Sequence, residues 1–220
     1  VFSKEAVLAF LQIPFIDRLF GLISLAPAFY SLYLFFYFAQ QGQVDVYRTG
    51  MAANLVVLIV SVLFRRTAKR ISLKAFFWFV TAGRSYWVFL VFMFVDVGAS
   101  YASLGTTSTV ISTILLWLAV VVIVYARFSL GRNIGFIPAR RELVTTGAYG
   151  WVRHPIHTGE FLFIFSYMLA FFSISSLVLF SIGLGFVIWK SVIEERFLGS
   201  DEDYREYCKK VPYRWVPGLI

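Results

Sequence analysis

At 220 residues, with 60% hydrophobic, 20% aromatic and only 15% charged side chains, the chain carries more apolar material than a water-soluble domain of that size can hide. Its net charge of +8 would suit nucleic acid. The basic residues, however, cluster at the ends of apolar runs, where membrane topology and anionic headgroups account for them, so no nucleic-acid partner is expected. The single cysteine, Cys208, excludes an internal disulfide and a cysteine-based metal cluster.

Several apolar runs approach the ~20 residues that a bilayer-crossing helix needs. The expected fold class is therefore an all-α integral membrane protein. Val1–Leu11 lacks the basic start and small-residue cleavage site of a secretory leader, so none is expected there. Leu19–Ala39 reads as a first span, with Gly21 and Pro27 tolerable inside a membrane helix. The polar link Gln40–Arg48 leads to a second span at Met51–Phe64, then to a basic run from Arg65 to Lys74. Arg84 interrupts the next apolar region, and an arginine at membrane depth is costly. That predicts an interfacial segment at Phe76–Val80 and a third span at Ser85–Tyr101, which leaves Asp96 within the membrane. A fourth span at Val110–Tyr125 follows the polar turn Gly105–Thr109. Arg127–Arg153 is a long polar connection broken by Gly131, Gly135, Pro138 and Gly147. Pro155–Phe172 and Leu177–Trp189 then form a helical hairpin joined by Ser173–Ser176, and a polar tail runs from Glu194 to Ile220.

With the amino terminus inside, every lysine and arginine except Arg48 falls on the cytoplasmic side of this layout. The expectation is six transmembrane helices with both termini cytoplasmic. The membrane would be the plasma or inner membrane of a bacterium, or the endoplasmic reticulum of a eukaryote. No internal repeat is visible, and the chain reads as one membrane domain. Residues 1–126 form its four-span region and 127–220 hold most of its polar chemistry.

That chemistry concentrates in Leu143–Gly159, which contains both histidines of the chain, His154 and His157. Proline disfavours helical geometry in the residue before it and is itself favoured at the first helical position. His154 is thus expected at the mouth of a helix that starts at Pro155, beside amides suited to an anion. Thr146–Tyr149 brings a turn and an aromatic to the same place. The hairpin should return Glu194 and Glu195, just past the last span, to Arg153 and His154. Carboxylates there suit a ribose diol or a cation, or simply pair with Arg153. Lys190, one turn before Glu194, either reaches the membrane interface or offers a cation to an anionic substrate group. His154, His157 and Glu160 have a spacing that could hold a metal, but membrane di-iron enzymes need many more histidines, and no metal is expected. Ser200 reads as the N-cap of a tail helix with acids in its first turn and Lys209-Lys210 at its end. Its Tyr204 and Tyr207 share a face that would pack the tail against the site or the membrane.

Taken together, Leu143-Val144-Thr145-Thr146-Gly147-Ala148-Tyr149, Arg153-His154-Pro155 with Gly159, Glu194-Glu195 with Leu198, and Tyr204, Tyr207, Val211 and Pro212 resemble the isoprenylcysteine carboxyl methyltransferase and phospholipid methyltransferase superfamily. The resemblance covers roughly the last 80 residues and none of the first four spans. It implies an S-adenosylmethionine-dependent enzyme with its cofactor site on the cytoplasmic side, built from the loop before the hairpin and the tail. It further implies that Arg141, Glu142, Leu143, Val144, Tyr149, His154, Pro155, His157 and Glu194 line the cofactor. Lys190 takes the place of an arginine that faces the substrate carboxylate. The implied partners are a lipophilic or lipidated substrate and membrane lipids. His157 stands where the family has a tyrosine, and the family's Phe-Gly before the tail tyrosines is missing.

Methyl transfer to a carboxylate needs no base, whereas an amine must lose a proton, for which Glu195 is a candidate acceptor. The leading expectation is carboxyl O-methylation of an isoprenylcysteine-like group, with N-methylation of a phospholipid or other amine as the alternative. Two rivals remain. One is a sterol-reductase-like enzyme using NADPH, with Arg132, Arg140 and Arg141 meeting the 2′-phosphate. The other is a membrane scaffold or transport component that kept the fold without catalysis.

Overall fold

The computed structural model describes residues 4–42, 46–71, 105–135 and 139–219. Their helices are α1 (Lys4–Gln40), α2 (Val46–Leu63), α3 (Gly105–Leu130), α4 (Pro155–Ala170), α5 (Ile174–Leu198) and α6 (Glu202–Lys210). Three helical segments among the described residues are long and apolar enough to cross a bilayer, namely Asp17–Gln40, Thr107–Asn133 and Ser176–Leu198. The apolar stretch of α2, Arg48–Leu63, is shorter. The first and fourth expected spans, Leu19–Ala39 and Val110–Tyr125, fall within α1 and α3, and the second, Met51–Phe64, overlaps α2 but runs one residue past its end at Leu63. Phe76–Val80, Arg84 and the third expected span, Ser85–Tyr101 with Asp96, lie outside the described residues.

Helix α3 is the centre of the packing. Leu116, Ala119, Ile123 and Ala126 recur at helical spacing and are buried, whereas Val110, Ile114, Trp117, Val121 and Phe128 face outward. Lipid is as apolar as leucine, so close backbone approach and polar contacts hold membrane helices together better than burial alone. The α3–α4 contact has both features. Gly159 brings α4 against the backbone of Ala119 and Ile123. Ser166 donates to the Ser112 carbonyl at 2.8 Å and Ser108 to the Leu169 carbonyl at 2.9 Å. Towards the α4–α5 joint, Leu116, Tyr167, Ala170, Phe171 and Phe180 form one cluster. Leu25, Ala28, Met51, Leu55, Ile59 and Val62 form another between α1 and α2.

Only Phe171, Phe172 and Ser173 separate α4 from α5. Ser173 caps α5 by accepting from the Ser176 amide at 3.0 Å, while the Ser176 hydroxyl accepts from the Ser173 amide at 2.8 Å. The helices fold back, so the start of α4 lies beside the end of α5, where His157 is 3.7 Å from Glu194. Glu194 and Glu195 fall inside α5 rather than beyond its end. The helix continues past Trp189 because Ile193, Glu194, Glu195, Arg196, Phe197 and Leu198 include good helix formers and both acids are paired.

Two straps complete the frame. After α2 the chain runs alongside the long connection. The Arg66 amide donates to the Arg132 carbonyl at 2.6 Å and the Lys69 amide to the Arg140 carbonyl at 2.7 Å. Arg70–Ile71 pairs antiparallel with Ala139–Arg140. At the other end the tail folds over the mouth of α4. The Arg153 amide donates to the Tyr213 carbonyl at 2.9 Å and the His154 amide to the Arg214 carbonyl at 2.8 Å. The N-cap of α6 is Asp201 rather than Ser200. The Ser200 hydroxyl turns back to the Phe197 carbonyl, and the Asp201 carboxylate pairs with Arg140 at 3.3 Å.

Candidate active site

Pro155 is the first residue of α4, and His154 before it has φ −128° and ψ 60°, outside helical geometry. Proline needs no partner for an amide it lacks, so the helix starts there without strain. The His154 and His157 rings stack at 5.4 Å with 19° between their planes, and both are buried. Glu194 lies across from them. Its Oε2 is 3.9 Å from His154 Nδ1 and 3.7 Å from His157 Nε2, and its Oε1 is 3.1 Å from Lys190 Nζ. Glu160 backs the second histidine, with Oε2 2.8 Å from His157 Nδ1.

These groups face a cavity of about 180 Å³. Arg141, Glu142, Leu143, Val144, Tyr149, His154, His157, Lys190 and Glu194 all line it, whereas Pro155 and Glu195 do not. Leu130, Ile134, Ile156 and Phe197 add apolar wall. Tyr149, Tyr204 and Tyr207 add aromatic wall. Burial first, then the charge of Glu194, raises the Tyr149 phenol well above the ordinary tyrosine range and keeps it neutral. Tyr207 donates to the Tyr149 carbonyl at 2.7 Å, so the tail helix closes directly onto the turn 147–150. Tyr204, Tyr207 and Val211 pack on Leu143 and Leu198.

Glu195 has a different setting. Oε1 accepts from Arg153 Nε at 2.8 Å and Oε2 from Arg214 Nε at 2.9 Å, which ties the loop and the tail to α5. Arg153 also donates to the Val211 and Pro212 carbonyls. His154 Nε2 is 3.3 Å from Glu195 Oε1. That oxygen already receives Arg153, and the buried Nε2 has no hydrogen-bond partner.

The arginines of the long connection are committed elsewhere. Arg141 grips Asp17, Arg140 pairs with Asp201 and Asp203, and Arg132 donates to the Phe64 carbonyl. Glu142 pairs with Arg66 at the surface. Arg127, near the end of α3, also lines the cavity, although its sequence position marks it only as the basic end of an apolar run. It is buried and donates to the Asn54 side chain at 2.6 Å and to its carbonyl at 2.8 Å. A basic residue ending an apolar run carries no signal that separates a lining cation from an interfacial one.

His154, His157 and Glu194 bring ligand atoms within 4.8 Å of one another, a different trio from His154, His157 and Glu160. The Lys190 ammonium, 3.1 Å from Glu194, already neutralises that carboxylate and would repel a dication. The cluster therefore suits an organic ligand with both charges and apolar surface better than a metal.

Apolar helices long enough to cross a bilayer and a cavity lined by buried charged groups have the features of a membrane protein with a polar site. Residues 107–204 match the phospholipid methyltransferase family. This stretch, from α3 to the start of the tail helix, thus belongs to the isoprenylcysteine and phospholipid methyltransferase superfamily, as the motifs suggested. Members are membrane methyltransferases of lipid-like substrates and normally use S-adenosylmethionine. No curated protein matches the chain.

Proposed function

We propose that the cavity between α4, α5 and the tail binds S-adenosylmethionine, and that the chain methylates a lipophilic acceptor, foremost a carboxylate of the isoprenylcysteine type. The observation that carries this reading is the meeting of His154, His157, Glu194 and Lys190 at the buried cavity. The lining fits the ligand's chemistry. Tyr149, Leu143 and Val144 offer apolar and aromatic surface to a base, and the Glu194 carboxylate suits a ribose diol. When bound, the cofactor supplies an electrophilic methyl group on a sulfonium.

The protein's own contribution is alignment and exclusion of water. Lys190, buried and held by Glu194, would orient an anionic acceptor group and neutralise its charge until it reacts. A carboxylate is already ionised, so no base is required. Glu195 holds Arg153 and Arg214 with both oxygens, and we assign it to positioning rather than to proton transfer. The His157–Glu160 pair favours a second reading. A histidine backed by a carboxylate is a recognised proton acceptor, and it would allow N-methylation of a phospholipid amine. The NADPH reading loses ground because Arg132, Arg140 and Arg141 are engaged with protein groups. We retain the six-span topology with both termini cytoplasmic as part of the proposal.

Calorimetric titration of the purified protein with S-adenosylhomocysteine, and separately with NADPH, tests the reading. Binding of the first and not the second is expected. Failure of the wild type to bind S-adenosylhomocysteine would refute it, and would favour the scaffold. His154→Ala and Glu194→Gln should each weaken that binding at least tenfold. Lys190→Ala should reduce turnover of a carboxylate acceptor while sparing cofactor affinity. Glu160→Gln should damage methylation of an amine and leave that of a carboxylate intact.

A further inference from the structure

The least exposed acidic side chain among the described residues belongs to no part of this mechanism. Asp17 of α1 is 1% exposed, and both carboxylate oxygens accept from Nη2 of Arg141, at 2.7 and 2.8 Å, across 124 residues of sequence. Arg141 is itself buried and spends Nε on the Arg66 carbonyl at 3.0 Å. Arg65 lies over the same carboxylate at 3.6 Å and donates to the Asp17 backbone carbonyl. Gly135 is what lets the guanidinium cross the chain there, since a Cβ at that position would lie 3.0 Å from Arg141 Cζ. One buried carboxylate thus holds two buried guanidinium groups, and the chain from Arg141 onward leads straight into Glu142, Leu143 and Val144 of the cavity wall.

We infer that Asp17 is a positioning residue for the cofactor-lining segment 141–144, so that the amino-terminal helix is a working part of the site. The inference rests on the reading of that cavity as a cofactor site. The Arg141 side chain serves the clamp, and only the backbone it carries serves the ligand. Without the Asp17 charge, two like charges would remain buried side by side, and charges in that state are expelled to water rather than tolerated. Arg141 would leave its berth and take residues 142–144 with it. Segment 107–204, which carries the family match, contains Arg141 but neither Asp17 nor Arg65, so the clamp joins the two halves of the chain.

The test compares wild type, Asp17→Asn, Asp17→Glu and Arg141→Lys in detergent. Two readouts are used: affinity for S-adenosylhomocysteine by calorimetry, and amide hydrogen exchange of residues 142–144 in the ligand-free protein. Asp17→Asn is expected to lower affinity at least tenfold and to speed that exchange by a similar factor, with Asp17→Glu restoring both to within about threefold. Unchanged affinity and exchange in Asp17→Asn overturns the inference while leaving the cofactor reading intact. If the wild type does not bind S-adenosylhomocysteine, the cofactor reading falls, and the exchange rates alone still decide whether Asp17 holds the segment. Should Asp17→Asn fail to fold, Arg141→Lys decides, because it keeps the charge and loses the two-oxygen grip. Wild-type values in that variant overturn the proposal.

Discussion

Gly159 gives the sharpest test of how the site is supported. A methyl group added there would lie 3.1 Å from the Ala119 carbonyl oxygen and 3.1 Å from the Ile123 amide nitrogen, and closer still to Ile123 Cγ1. The first two are backbone atoms of α3, which cannot rotate aside. Replacing glycine by alanine within a helix ordinarily gains about 1 kcal/mol. Forcing an extra carbon into a closed contact costs about 1–3 kcal/mol, and the rigid partners put this case near the upper end. The expected net effect of Gly159→Ala is a loss of about 1–2 kcal/mol, or roughly 4 °C in Tm for a chain of this length. Gly185 of α5 is the control, since a Cβ there meets nothing within 4 Å. Gly185→Ala should gain up to about 1 kcal/mol by the same helix term. Thermal unfolding of both variants in one detergent, followed by intrinsic fluorescence, measures the difference. Should Gly159→Ala unfold at the same temperature as Gly185→Ala or above it, the close α3–α4 contact is not what holds the mouth of α4 in place.

Three further outcomes follow from the tail. Glu195→Gln leaves Arg153 and Arg214 without their carboxylate and should cost on the order of 2 kcal/mol, the range of a charged hydrogen bond. Limited proteolysis should then cut the segment after Val211 faster than in wild type. Tyr207→Phe removes the 2.7 Å bond to the Tyr149 carbonyl, and a loss of about 1 kcal/mol in thermal unfolding is expected. Burial, ahead of the neighbouring Cys208 and Glu195 charges, raises the Tyr207 phenol above its ordinary value. Its stabilisation is therefore complete below the unfolded pKa of about 10 and is lost as the pH rises through the higher folded value. Ultraviolet titration of tyrosine should register phenolate formation together with release of the tail, and Tyr207→Phe should remove part of that transition.

What the sequence conveyed well was local or short in range. Pro155 announces its own helix start, and so the position of His154, because its ring restricts both residues. The meeting of Glu194 with His154 was legible because one turnaround of three residues separates two helices that must lie side by side. Pairing of Glu195 with Arg153 was visible only as one of two options, since a carboxylate at a helix end reads alike as ligand or anchor. The α6 cap missed by one residue because Ser200 and Asp201 are both capping types, and the choice fell to Arg140, which engages Asp201 from a distant strand. Asp17 was not legible at all. In sequence it marks the edge of a span, and α1 instead begins at Lys4 and carries Asp17 inside. Its partner lies 124 residues further along the chain, and charge complementarity over such a separation leaves no periodic trace.

The tail's backbone bonds to Arg153 and His154 also set an order of events during biogenesis. Residues 213–215 leave the ribosome only after α4 and α5 have been made, yet they supply the carbonyls that receive the Arg153 and His154 amides and the Thr158 hydroxyl. Until then those donors at the start of α4 lack their tail acceptors. The mouth of α4 therefore acquires its last hydrogen-bond acceptors only when the tail is complete. A chain clipped before Tyr213 would keep every residue that lines the cavity but leave the turn into α4, with His154 on it, unanchored.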